Sequence, residues 1–176
     1  MNKGLFLDRD GVLNQCNIVG GKPYPPKDSK ELKIIEDSLS NLAKFKDKGW
    51  KIVVITNQPD VSRGITSIDN VESINSRIKS FFPIDSFKTC YHDNSDNCKC
   101  RKPLPGSLLV SASELDIDLN SSYLVGDRWK DIEAGFNAGC KTFFIDYNYD
   151  EKRPNNYDFR VNSLNEALDI ILKLER

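Results

Sequence analysis

Short apolar runs alternate along this chain with longer amphipathic stretches, and that alternation limits the possible folds more than any other feature. Runs that are apolar at every position must be covered on both faces, as strands of a parallel sheet are. Residues 4–7 (Gly-Leu-Phe-Leu) form such a run and stop abruptly at Asp8-Arg9-Asp10-Gly11, which reads as a buried strand feeding a turn. Residues 51–56 (Lys-Ile-Val-Val-Ile-Thr) are the clearest strand, and 86–91, 122–125 and 141–146 read as others. Between them, 37–48 places Leu39, Leu42, Ala43 and Phe45 at helical spacing before Gly49. Residues 67–81, 105–115 (opened by Pro105), 130–138 and 163–174 read as further helices, the last with Ser163 and Glu166 at capping-box spacing. The pattern predicts an α/β fold: a single doubly wound, Rossmann-like parallel sheet with helices on both faces. A length of 176 residues suits one domain, 1–176, and no insertion is large enough for a separate cap domain. Two stretches rich in Gly, Pro, Asn and Asp, 15–30 and 147–158, read as flexible loops.

Charge excludes several classes of partner. There are 25 basic and 26 acidic side chains, so nothing draws the chain to nucleic acid or to an anionic membrane. No apolar run approaches the roughly 20 residues that cross a bilayer, and the start meets a charge too early for a signal peptide. The expectation is a cytoplasmic protein. A chain with no coiled-coil pattern and no cap domain reads as a monomer.

The chemically loaded residues follow the strands. Asp8-Arg9-Asp10-Gly11 comes after the first, Thr56-Asn57-Gln58 after the second, and Gly126-Asp127-Arg128 after a later one. In a parallel sheet these strand ends share one edge, where ligands of such folds bind. Asp8, Asp10 and Asp127 together would repel one another unless a hard cation sat among them, and magnesium favours oxygen ligands. A carboxylate beside such a metal can attack phosphorus, and a second can protonate the leaving oxygen. Thr56, Asn57 and a lysine would hold the remaining phosphate oxygens, because phosphoryl transfer needs mainly positioning and charge stabilisation. Each motif alone is a common turn or helix cap; three in this order, each after a strand, point to phosphoryl chemistry.

Phe6-Leu7-Asp8-Arg9-Asp10-Gly11-Val12-Leu13-Asn14 resembles the opening motif of the haloacid dehalogenase superfamily. The Asp-Arg-Asp-Gly form is similar to the branch that holds heptose bisphosphate and histidinol phosphatases. Ile55-Thr56-Asn57-Gln58 with Arg63-Gly64, Cys98-Lys99-Cys100-Arg101-Lys102-Pro103, Pro105-Gly106, and Val125-Gly126-Asp127-Arg128 with Asp131 extend the likeness from residue 4 to about 170. The resemblance implies Asp8 as nucleophile and Asp10 as general acid and base. It implies Mg2+ on Asp8, the Asp10 carbonyl and Asp127, with phosphate contacts from Thr56, Asn57 and Lys102. Asp131 then supports the ligands rather than binding metal.

Three of the five cysteines lie in an eleven-residue window with the only histidine. Cys90, His92, Cys98 and Cys100 offer the tetrahedral ligand set of a structural Zn2+, and the polar stretch 93–97 between them has no residue to order it by burial. The related phosphatases carry a matching zinc loop. Four protein ligands close the site, so its role would be to fix the segment leading into Arg101-Lys102. Cys140 reads as core, and Cys16 is assigned nothing.

Arg63 and Arg101 are candidates for a second anionic group, since arginine binds phosphate bidentately. That favours a sugar bisphosphate, and the resemblance implies removal of the C7 phosphate of heptose 1,7-bisphosphate for surface-polysaccharide or lipopolysaccharide precursors. Histidinol phosphate or another small metabolite is the alternative, and a zinc-stabilised binding protein without activity is a third. Pro59-Asp60-Val61-Ser62 departs from the Ser-Gly-Ile-Ala-like stretch usual in the heptose enzymes, and the zinc loop is shorter than in many relatives.

Overall fold

The computed structural model describes residues 1–176. Six strands form one sheet: β1 (Gly4–Leu7), β4 (Lys51–Asn57), β5 (Ser86–Cys90), β6 (Tyr123–Gly126), β7 (Lys141–Ile145) and β8 (Phe159–Val161), in the order β5-β4-β1-β6-β7-β8. Every neighbouring pair is parallel, with Leu7 opposite Val54 on one side and Val125 on the other. The chain starts in the middle, winds outward through β4 and β5, then crosses back to β6. The junction of β1 with β6 is therefore the switch point where a doubly wound sheet opens a crevice.

Side-chain alternation assigns the helices to faces. Leu5, Leu7, Ile52, Val54, Val125 and Phe143 pack under α1 (Leu39–Asp47), α2 (Ile68–Phe81) and α5 (Leu164–Leu174), through Leu42, Phe45, Ile74, Ile78, Leu168 and Ile171. Phe6, Val53, Ile55 and Leu124 face the other way, against Leu108 of α3 (Gly106–Leu115) and Ala134 of α4 (Trp129–Ala138). Cys140 is buried in this second cluster. Helices cover both faces, as the alternation requires. None is long and apolar enough to cross a membrane.

Element ends follow local chemistry. The Ser67 hydroxyl accepts from the Asn70 N–H at 3.1 Å and starts α2. At α5 the Ser163 hydroxyl accepts from the Glu166 N–H, but the Glu166 carboxylate accepts from the Asn162 N–H instead of Ser163's. Only half of the capping box forms, because extended backbone at Ser163 brings the preceding amide into reach.

The stretch 15–30 differs from the flexible loop expected. Asn17–Val19 (β2) and Lys22–Tyr24 (β3) form an antiparallel hairpin around Gly20 and Gly21. Both glycines have positive φ, 57° and 75°, as a two-residue hairpin turn of this hand demands. Asp150 in the 147–158 stretch donates its N–H to the Gly21 carbonyl at 2.9 Å, so the two loops brace each other over the crevice.

Candidate active site

β1 ends where its last buried residue, Leu7, gives way to Asp8, whose N–H donates to the Val125 carbonyl of β6 at 3.0 Å. That bond fixes Asp8 at the switch point. Its Oδ1 accepts from the Arg9 N–H and from Lys102 Nζ, both at 2.8 Å. Every protein hydrogen bond to its carboxylate falls on Oδ1, and Asp8 lines a cleft of about 240 Å³. Asp8, Asp10, Thr56, Asn57, Arg63, Arg101 and Lys102 all line this cleft, and Asp127 lies beneath it, 1% exposed.

Lys102 is enclosed by three acceptors: Asp8 Oδ1, the Ile55 carbonyl at 2.7 Å, and Asp131 Oδ1 at 2.6 Å. Burial alone would push its ammonium down; the Asp131 and Asp8 charges outweigh that and hold it above its ordinary value. Asp131 is fully engaged, since its Oδ2 also accepts from the Arg128 N–H at 2.9 Å.

Asp127 is not. Its Oδ2 accepts from the Tyr149 hydroxyl at 2.9 Å, while its buried Oδ1 has no hydrogen-bond partner. A buried oxygen of this kind is costly unless something binds it. Burial first, and then the Asp8 charge, push Asp127 well above the usual carboxylate range. Burial and then Asp131 likewise raise Asp8 to about 7, with Lys102 only partly restraining it. Carboxylate oxygens of Asp8, Asp127 and Asp131 lie within 4.8 Å of one another. Such a group with one lysine and one orphaned oxygen fits a hard divalent cation, which would keep Asp8 ionised.

The Asp10 carboxylate is held from three sides. Arg9, fully buried, donates from Nε and Nη2, Asn14 Nδ2 donates at 3.0 Å, and Gln58 Nε2 at 2.8 Å. Arg9 is anchored in turn by Nη1 on Asn75 Oδ1 at 2.8 Å. Gln58 also donates to Thr56 Oγ1 at 2.9 Å. Neither Arg9 nor Gln58 is assigned a role from sequence; the only signal is their place inside the two strand-end motifs.

Asn57 lines the cleft and has a second engagement beside it. Its amide is paired with the Lys102 main chain, Nδ2 donating to the Lys102 carbonyl at 3.0 Å and Oδ1 accepting the Lys102 N–H at 3.1 Å. It joins the second strand end to the lysine loop, and because Nδ2 carries two N–H groups one donor remains on a residue that lines the cleft. Arg63 is likewise engaged, with Asp93 at 2.7 Å and Asp60 at 3.2 Å. Arg101 donates to Asn94 Oδ1 and the His92 carbonyl.

Sequence reasoning names Arg128 only as part of its motif and misses two other cations of the cleft, Lys22 and Lys130. Lys22 of the hairpin and Arg128 and Lys130 by the start of α4 bring the lining to six basic groups against four carboxylates, Asp8, Asp10, Asp60 and Asp131. This is a cationic concavity in a chain of net charge -1. Arg128 pairs with Glu151. Lys130 is half-buried, and burial, then Arg101 and Arg128, push its ammonium down. Crowded like charge of that kind marks a site for an anion.

The cysteine cluster sits next door. Five of the six separations among the Cys90, Cys98 and Cys100 sulfurs and His92 Nδ1 are 3.3 to 3.7 Å, and the ligand atoms of all four residues lie within 4.8 Å of one another. A tetrahedron with ligands ~2.3 Å from a central zinc has edges of about 3.7 Å, so the four atoms fit that metal. The stretch 93–97 has other braces too: Ser62 Oγ donates to Asp96 Oδ2, and Arg63 grips Asp93.

Comparison with known proteins agrees with this geometry. A family model described as HAD-hydrolase-like matches residues 99–167. The D-glycero-beta-D-manno-heptose-1,7-bisphosphate 7-phosphatase of Helicobacter pylori is 32% identical over 97% of this chain and 98% of its own length. The protein of the same name from Pasteurella multocida is 34% identical over 80% of this chain and 79% of its own. Among solved structures, the D,D-heptose 1,7-bisphosphate phosphatase of B. bronchiseptica, complexed with magnesium and phosphate, superposes with a TM-score of 0.81 at 26% identity, covering 98% of this chain and 99% of that one. The chain belongs to the haloacid dehalogenase-like phosphatases, in the group that contains the heptose 1,7-bisphosphate 7-phosphatases.

Proposed function

We propose that this chain removes the C7 phosphate of D-glycero-D-manno-heptose 1,7-bisphosphate, with Asp8 as nucleophile. The observation that carries the chemistry is Asp8 itself: one oxygen is tied to Lys102 and the Arg9 N–H, and the residue lines a cation-rich cleft. Asp8 Oδ2 attacks phosphorus and the sugar oxygen leaves, giving an aspartyl phosphate that water then hydrolyses. Lys102 fixes the attacking carboxylate and offsets charge on the phosphoryl oxygens. Asp10 protonates the leaving oxygen and later takes a proton from water. In the resting arrangement it accepts from Arg9, Asn14 and Gln58, so its turn as an acid involves rotation toward the cleft, to which it is partly open. Asp8, the Asp10 carbonyl and Asp127 would hold Mg2+, which when bound offsets repulsion between two anions and aligns the phosphoryl group. Thr56 and Asn57 contact the phosphate, and Asn57 also ties down the Lys102 main chain. Cys90, His92, Cys98 and Cys100 hold structural Zn2+.

Substrate choice rests on the cleft's charge and on the names of the relatives. Lys22 and Lys130, neither paired with a carboxylate, together with Arg101 and Arg128, suit a second phosphate. Histidinol phosphate brings an ammonium group that this lining repels. The protein is expected to act in the cytoplasm as a monomer.

Purified protein with Mg2+ is tested for phosphate release from heptose 1,7-bisphosphate, histidinol phosphate, fructose 1,6-bisphosphate and sugar monophosphates. Preference for the heptose bisphosphate is expected, with kcat/KM for Asp8→Asn lower by ~10⁴-fold or more. Strong turnover of histidinol phosphate would contradict the substrate, and hydrolysis of nothing by folded, metal-loaded protein would contradict the activity.

A further inference from the structure

Asp127 has its two oxygens in opposite situations: Oδ1 is buried without a partner, and Oδ2 accepts from the Tyr149 hydroxyl at 2.9 Å. Tyr149 belongs to none of the strand-end motifs. It lies in the loop after β7, and that loop is held on three sides. The Asp150 N–H donates to Gly21 of the hairpin, Glu151 pairs with Arg128, and Arg153 pairs with Asp146 and donates to Asn148 Oδ1. The Tyr147 ring lies 5.6 Å from that of Tyr149 and steadies it further. The hydroxyl is thus delivered from a fixed frame.

A buried carboxylate has two faces it could present, and a neutral donor on one oxygen decides which. We propose that Tyr149 is the positioning residue of the magnesium site: its hydroxyl pins Asp127 Oδ2 and leaves Oδ1 as the ligand atom. This rests on the reading of Asp127 as a magnesium ligand. Loss of such outer hydrogen bonds typically lowers metal affinity ~10–100-fold, because the carboxylate must then be oriented by the metal itself. A tyrosine that merely fills the loop would act through its ring, and its hydroxyl would be dispensable.

The test is calorimetric titration of Mg2+ alone into the full chain, for the unsubstituted protein, Tyr149→Phe, and Tyr147→Phe as a control for the neighbouring ring. Thermal denaturation and the Mg2+ dependence of phosphate release are measured alongside. Tyr149→Phe is expected to raise the Mg2+ Kd ~10–100-fold. Half-saturating Mg2+ for turnover should rise in parallel, with kcat at saturating metal nearly retained. Tyr147→Phe should change none of these. Unchanged Mg2+ affinity in Tyr149→Phe, beside clear binding by the unsubstituted protein, overturns the role of Tyr149 and leaves the metal reading intact. Loss of the fold in Tyr149→Phe overturns it too, since the ring is retained. No Mg2+ binding by the unsubstituted protein overturns the metal reading itself.

Discussion

Gly11 passes so close to Asp127 that a Cβ at this position would lie 2.0 Å from Oδ2, and its φ is 84°. No L-side chain fits there without moving the Asp127 carboxylate or the turn that carries Asp8 and Asp10. Gly11→Ala is expected to lower kcat/KM by roughly 100-fold or more, the scale of a ~1 Å misplacement at a reacting centre. Steady-state kinetics with a Tm measurement checks this, and near-normal turnover would contradict it. Asp8 and Asp10 are legible in the sequence because they follow a strand directly, and Lys102 only through the family resemblance of its motif. Arg9 is not, since nothing in a sequence announces that an arginine between two aspartates will be fully buried on Asn75. Tyr149 and Lys130 are invisible for a related reason: they reach the crevice through tertiary packing of a loop and a helix start.

At the scale of elements, the segment running from β5 into α3 does two things at once. Cys90 ends β5, and Cys98 and Cys100 lead straight into Arg101, whose guanidinium reaches back to the His92 carbonyl and Asn94. Stripping the metal, or Cys98→Ser, should free this segment and with it the Lys102 loop. Turnover is expected to fall ~10–100-fold, with a lower Tm. Both should recover when zinc is restored to the stripped protein. Zinc analysis beside kinetics checks this, and full turnover by zinc-free protein would contradict it. The long strands and helices were readable because their apolar periods run over several residues. The β2–β3 hairpin and β8 are three residues each, too short for a period to register, and only the Gly20-Gly21 pair hints at the hairpin. Of these, the hairpin lends Lys22, Pro23 and Tyr24 to the cleft, which is why that wall was the least legible part of the site.

Across the whole molecule, the parallel order of the sheet gathers residues more than a hundred positions apart. Asp8 and Asp127 end neighbouring strands β1 and β6, and Thr56 sits near the end of β4 on the other side. Two helical layers close the sheet faces, and the cleft opens at its C-terminal edge. Fold class and the convergence of strand ends follow from alternation alone; the sign of the cleft does not, because net charge says nothing about where charges gather. The central claim is that Asp8 carries the phosphoryl group during turnover. Protein mixed with substrate and Mg2+, quenched in acid within a single turnover and digested, should show one phosphoryl mass on the peptide containing Asp8, and none in Asp8→Asn. Phosphate release with no labelled peptide at any quench time, or a label on another residue, would contradict the account.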